Sequence, residues 1–131
     1  DYYPTLLAMT GQPARPKQHV DGRNLLPLLK QTGTVKREAL YWHYPNYIGA
    51  GHPGGARPCS VIRSGDWKLI EAYETGKLSL YNLVDDIGET NDLSEKQPKK
   101  TEELLAKLKA WNAKVGAAPM RPNPEYEGLR P

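Results

Sequence analysis

The chain has one cysteine, Cys59, in 131 residues. A single thiol excludes an internal disulfide and any multi-cysteine metal site, and it leaves the redox compartment open. No apolar run approaches the ~18 residues needed to cross a membrane as a helix. No stretch repeats and none is low-complexity. The 18 basic residues are interspersed with 15 acidic ones for a net charge of +3, so no basic stripe marks a nucleic-acid surface. There is no initiator methionine and no signal peptide. The chain opens on Asp1, already inside an apolar pattern, which is the expectation for a mature product or a piece of a longer protein.

What is present describes a globular domain: 38% hydrophobic and 25% charged residues, in a length that supports one real core. Twelve glycines and twelve prolines predict long ordered loops between short elements. "DYYPTLLAMTG" reads as a short helix capped by Asp1 and stopped by Gly11, and "DGRNLLPLLK" as a short helical turn with Pro27 near its start. "EALYWHYP" reads as a strand ending at Pro45, and "NYIGAGHPGGARP" as a loop. "CSVIR", "WKLIEAY" and "LSLYNL" alternate with period two and are joined by the tight turns "SGD" and "ETGK", which predicts an antiparallel meander. "PKKTEELLAKLKAWNAKVG" predicts the longest helix, with Pro98 in its first turn, Leu104, Leu108, Trp111 and Val115 on one stripe, and Gly116 as its stop. The expected fold is α+β: a sheet of about four antiparallel strands packed on one long C-terminal amphipathic helix, with short N-terminal helices. The expected organisation is one domain, with residues 1–38 as an entering segment, 39–116 as sheet plus helix, and 117–131 as a proline-rich tail.

Several motifs invite a chemical reading. Cys59 is followed four residues later by Arg63. A phosphatase loop needs C-x5-R, and Gly65 stands where that arginine would be. The sulfatase activation signature is C-x-P-x-R, and Val61 stands where its proline would be. Cys59 also alternates as part of a strand, whereas the activated residue belongs at a helix start. It therefore reads as structural. Gly49, Gly51 and Gly54 match G-x-G-x-x-G, but Pro45 precedes them and Gly55 and Pro58 follow, so no strand–helix context supports a dinucleotide site. Asp85, Asp86, Glu89 and Asp92 lack the spacing of a calcium loop, and local bonding to backbone N–H groups accounts for them. His19, His43 and His52 are too scattered for a metal set. His43 lies in "YWHYP", and two readings stay open there. One is an aromatic cluster at a sheet edge. The other is a cleft wall in which Trp42, His43 and Tyr44, with His52 and Arg57 on the adjoining loop, touch a sugar-like substrate.

In order and spacing, "DYYPTLLAMTGQP", "DGRNLLPLLK", "LYWHYP", "VIRSGDWKLIEAYETGKLSLYNL", "DDIGETNDL" and the final helix with Trp111 resemble the C-terminal part of the sulfatases. These are the arylsulfatase-type branch of the alkaline-phosphatase-like superfamily. The resemblance covers nearly the whole chain. It implies a small C-terminal subdomain of an enzyme that hydrolyses sulfate esters, with a carbohydrate as substrate and a periplasmic or secreted location. It also implies a partner, the N-terminal catalytic domain of the same protein, which would hold the calcium and the formylglycine, with residues 1–38 as that domain's tail end and connector. No position here matches those catalytic or metal residues, so the chain alone is expected to be inactive. The rival readings are a free-standing carbohydrate- or protein-binding module, and a small enzyme that uses Cys59.

Overall fold

The computed structural model describes residues 1–49 and 55–121. The chain divides into two compact units, Asp1–Arg37 and Glu38–Pro131.

The first unit holds two helices, α1 (Tyr2–Met9) and α2 (Leu26–Leu29). Asp1 precedes α1 but makes no side-chain cap, contrary to the expectation from sequence. Its carboxylate instead accepts the Arg23 backbone N–H at 2.8 Å and an Arg37 N–H at 2.9 Å. A cation and an N–H from residues 22 and 36 positions away compete better than the helix's own first turn. Thr5 is buried and joins the helices: its hydroxyl donates to the Asp1 carbonyl at 2.7 Å and accepts the Leu25 N–H at 2.9 Å.

The second unit is the sheet and long helix foreseen by the alternation. Four strands, β1 (Leu40–Tyr44), β2 (Cys59–Ser64), β3 (Trp67–Ala72) and β4 (Leu78–Asn82), lie in the order β1-β2-β3-β4, every pair antiparallel. The β2–β3 turn needs Gly65, whose φ is +57°. Helix α3 runs Pro98–Val115 and ends on Gly116 in the left-handed conformation, as a C-terminal glycine does.

Register fixes the faces. Tyr41, Ile62, Leu69 and Leu80 are aligned across the four strands. Ile62, Leu69 and Leu80 are fully buried with Leu104 and Leu108 of α3, and these five form the core. Since alternate residues share a face, Tyr41, His43, Ser60, Ile62 and Glu71 look toward α3. Trp42, Tyr44, Cys59 and Val61 lie on the opposite face. The α3 stripe is shorter than its sequence pattern suggested. Leu104 and Leu108 are buried, Trp111 is half-buried against Tyr41, and Val115 is 51% exposed.

Candidate functional site at the end of the first strand

His43 enters the interface between sheet and helix as the second-last residue of β1. Its register partner is Ser60, a polar side chain fully buried in a row of core positions. His43 Nε2 lies 2.8 Å from the Ala118 carbonyl oxygen. A carbonyl only accepts, so Nε2 carries the proton and Nδ1 of the neutral ring is an acceptor. Nδ1 meets the Tyr73 hydroxyl at 2.7 Å and the Ser60 hydroxyl at 3.1 Å. Ser60 and Tyr73 also share a short O–H···O bond, and the Asn112 amide reaches Ser60 Oγ at 3.4 Å. The donors then run one way: Asn112 to Ser60, Ser60 to Tyr73, Tyr73 to His43, His43 to Ala118. Such a chain polarises along its length, and each bond strengthens the next.

Beside this chain sit two buried oxygens with no protein partner among the described residues, Glu71 Oε2 and Asn112 Oδ1. The other Glu71 oxygen takes the Lys109 ammonium at 2.5 Å, which ties β3 to α3.

The remaining residues of the candidate cleft wall are placed differently. Trp42 is on the face away from α3 and 49% exposed; Tyr44 shares that face and is half-buried. Arg57 is 80% exposed and donates to Glu74 at 3.1 Å. His52, and most of the Gly49–Gly54 pattern with it, lies outside the described residues. Gly49 itself has φ +60°, and a Cβ added at Gly55 would collide with the Gly49 carbonyl, so the two glycines permit a close backbone crossing.

Cys59 is half-buried on the face away from α3. Burial pushes its thiol up from the ordinary value, and the positive charge of Lys68 opposes this in part. A thiol that holds its proton is a poor nucleophile. The acidic cluster is already bonded, in part to groups beyond its own loop. Asp85 accepts from the Asn82 amide, and Asp86 from the Thr90 hydroxyl and the Asn91 N–H. Glu89 binds Lys68 through both oxygens at 2.6 and 2.7 Å. Asp92 accepts the N–H groups of Leu80 and Ser94 at 3.0 Å each. Among the described residues no three His, Cys, Asp or Glu side chains could hold a metal ion, and no helix is long and apolar enough to cross a membrane.

The partners Ser60, Tyr73, Glu74 and Asn112 were not singled out by the sequence. A polar residue in the apolar row of a strand, as Ser60 is next to Ile62, was the available signal. Which face was the core had to be known first.

A family model described as "N-sulphoglucosamine sulphohydrolase, C-terminal" matches residues 1–115. A curated relative, "Sulfatase" from Formosa agariphila, is 34% identical over 131 residues, covering 89% of this chain and 23% of the relative. A protein solved in complex with its substrate D-glucosamine-2-N,6-O-disulfate is 25% identical, with a TM-score of 0.66 over 88% of this chain and 24% of its own. A solved 2-O GAG sulfatase shares the fold at 22% identity, with a TM-score of 0.67 over 89% of this chain and 25% of its own. The chain thus spans about a quarter of the length of each.

Proposed function

Because the chain belongs to the N-sulphoglucosamine sulphohydrolase C-terminal family, we propose that it is the non-catalytic C-terminal part of a sulfatase. In this reading it completes the enzyme's fold and lends one wall to a pocket for a sulfated sugar. The observation that carries this is the match over residues 1–115 of a chain that spans 23% of its sulfatase relative. The relative solved with a disulfated glucosamine supports a sulfated amino sugar as the substrate class.

Sulfate transfer needs an activated nucleophile and cations around the sulfate oxygens. The residues described here do not fit that machinery. Cys59 lies on a strand with its thiol protonated, and the carboxylates of the acidic loop are already bonded. In this reading the formylglycine and calcium belong to the catalytic domain, outside this chain, and that domain is its principal partner. The family resemblance supports a periplasmic or secreted location.

The wall is assigned to Trp42, His43, Tyr44, His52 and Arg57. Aromatic rings cover sugar faces, and a guanidinium suits a sulfate through paired N–H donors. His43 contributes by fixing the strand end that carries Trp42 and Tyr44.

The test compares the complete protein with the 131-residue chain on glucosamine-2-N,6-O-disulfate and on an aryl sulfate. The complete protein is expected to release sulfate and the chain alone to release none. Trp42→Ala or His43→Ala in the complete protein should lower kcat/KM by about 1–3 kcal/mol of transition-state binding. Turnover by the isolated chain that disappears with Cys59→Ala would overturn the proposal. So would full activity in both wall variants.

A further inference from the structure

Tyr73 and Glu74, consecutive in the turn after β3, grip both flanks of the connection between β1 and β2. On the first flank, the Tyr73 hydroxyl meets His43 at 2.7 Å and Glu74 Oε1 accepts the Tyr47 hydroxyl at 2.9 Å. On the second flank, the Tyr73 N–H donates to the Pro58 carbonyl at 3.0 Å, and Glu74 Oε2 accepts from Arg57 at 3.1 Å. One carboxylate thus divides its two oxygens between the two flanks. The flanks also meet directly, where Ile48 and Ala56 exchange backbone bonds of 3.1 and 2.9 Å. The Tyr47 hydroxyl and then the Arg57 guanidinium hold the Glu74 carboxyl below its ordinary range, so it is charged wherever the protein works near neutrality.

We propose that Tyr73 and Glu74 are positioning residues for substrate recognition, setting the strand end and loop flanks that present Trp42, Tyr44 and Arg57 to a sulfated sugar. This rests on the pocket-wall reading above. Contacts that a loop flank makes with a ligand are weakened by the entropy of ordering that flank. A carboxylate that holds both flanks removes that loss in advance. It also orients the Arg57 guanidinium while leaving the side chain 80% exposed to a ligand.

The experiment uses the complete protein with Glu74→Gln, Glu74→Ala, Tyr73→Phe and, as a reference, Trp42→Ala. Amide exchange is followed by mass spectrometry, and kcat and KM are measured on glucosamine-2-N,6-O-disulfate. Exchange should quicken at residues 44–49 and 55–58 while β2 to β4 stay protected. KM should rise by about three- to tenfold, more than kcat falls, and more in Glu74→Ala than in Glu74→Gln. Unchanged exchange at the flanks overturns the proposal, and so does a rise spread evenly over the sheet. If Trp42→Ala raises KM and the Glu74 variants do not, the pocket wall stands and the positioning role falls. If none of the four alters KM, the pocket-wall reading itself falls.

Discussion

Tyr41 and Trp111 stack face to face, their ring centroids 4.9 Å apart and their planes within 5°. Tyr41 belongs to the edge strand and Trp111 to the helix above it, so the stack closes the core along that edge. It stands outside the fully buried set formed by Leu104, Leu108 and their sheet partners. Leu108→Ala should therefore cost about 2–5 kcal/mol, as a cavity in the core does, and Trp111→Ala about 2 kcal/mol. A double-mutant cycle between Tyr41 and Trp111 should return a coupling of ~0.5–1.5 kcal/mol. Urea melts that rank Trp111→Ala above Leu108→Ala would make the aromatic stack, not the leucines, the anchor of the helix.

Asp92 gives the fold an acid-sensitive joint. Burial alone would raise its carboxyl, but the N–H groups of Ser94 and Leu80 and the hydroxyls of Ser94 and Ser79 outweigh that and hold it at about 2. A carboxylate lowered in the folded state stabilises it above the unfolded value of 3.8, and that stability disappears as pH falls toward 2. The loss should be on the order of 1–2 kcal/mol. Asp92→Asn should lower stability at pH 7 and flatten the urea midpoint between pH 5 and pH 2. An unaltered pH profile in that variant would remove Asp92 from the account.

Cys59 should behave as an inert thiol. Iodoacetamide at pH 7.5 is expected to modify it far more slowly than a free cysteine, since the thiolate is the reacting form and burial disfavours it. Cys59→Ala should cost ~1 kcal/mol and leave sulfate release by the complete protein near the parent level. Rapid alkylation of the folded protein would contradict the protonated thiol.

The one-way hydrogen-bond chain through His43 fixes its neutral tautomer. Nitrogen-15 shifts of the ring should show a protonated Nε2 and a bare Nδ1, and His43→Phe should cost about 1–3 kcal/mol by taking the acceptor from the part-buried Tyr73 hydroxyl and the donor from the Ala118 carbonyl. A ring protonated at Nδ1 instead would reverse the Ser60 and Tyr73 hydroxyl donors and leave the Ala118 carbonyl without its N–H.

The sheet and helix were legible in the sequence because their signals are local. Period-two alternation interrupted by Ser64-Gly65-Asp66 specifies β2 and β3, and Gly116 marks the end of α3. The choice of face was not legible. Cys59 and Val61 look as apolar as Ser60 and Ile62, and only packing against α3 selects the second pair. The role of Asp1 escaped for the same reason, since its partners Arg23 and Arg37 lie far along the chain. At the candidate site the sequence singled out the aromatic strand end. The residues that hold it come from 17 to 75 positions away, and no spacing rule links His43 to Ser60, Tyr73 and Ala118.

Strand order carries a consequence for how the molecule assembles. Neighbours in the sheet are neighbours in the chain, so the β2–β3 and β3–β4 pairings close short loops and lose little chain entropy, and β1 joins across a longer connection. The β2–β3 hairpin, with two residues at its turn, has the shortest search of all. The costly closure is the last one, when the segment behind α3 returns 75 residues to His43. During synthesis the meander leaves the ribosome first, with its apolar row of Ile62, Leu69 and Leu80 uncovered until α3 follows. That interval is when this part of the protein is most exposed to aggregation.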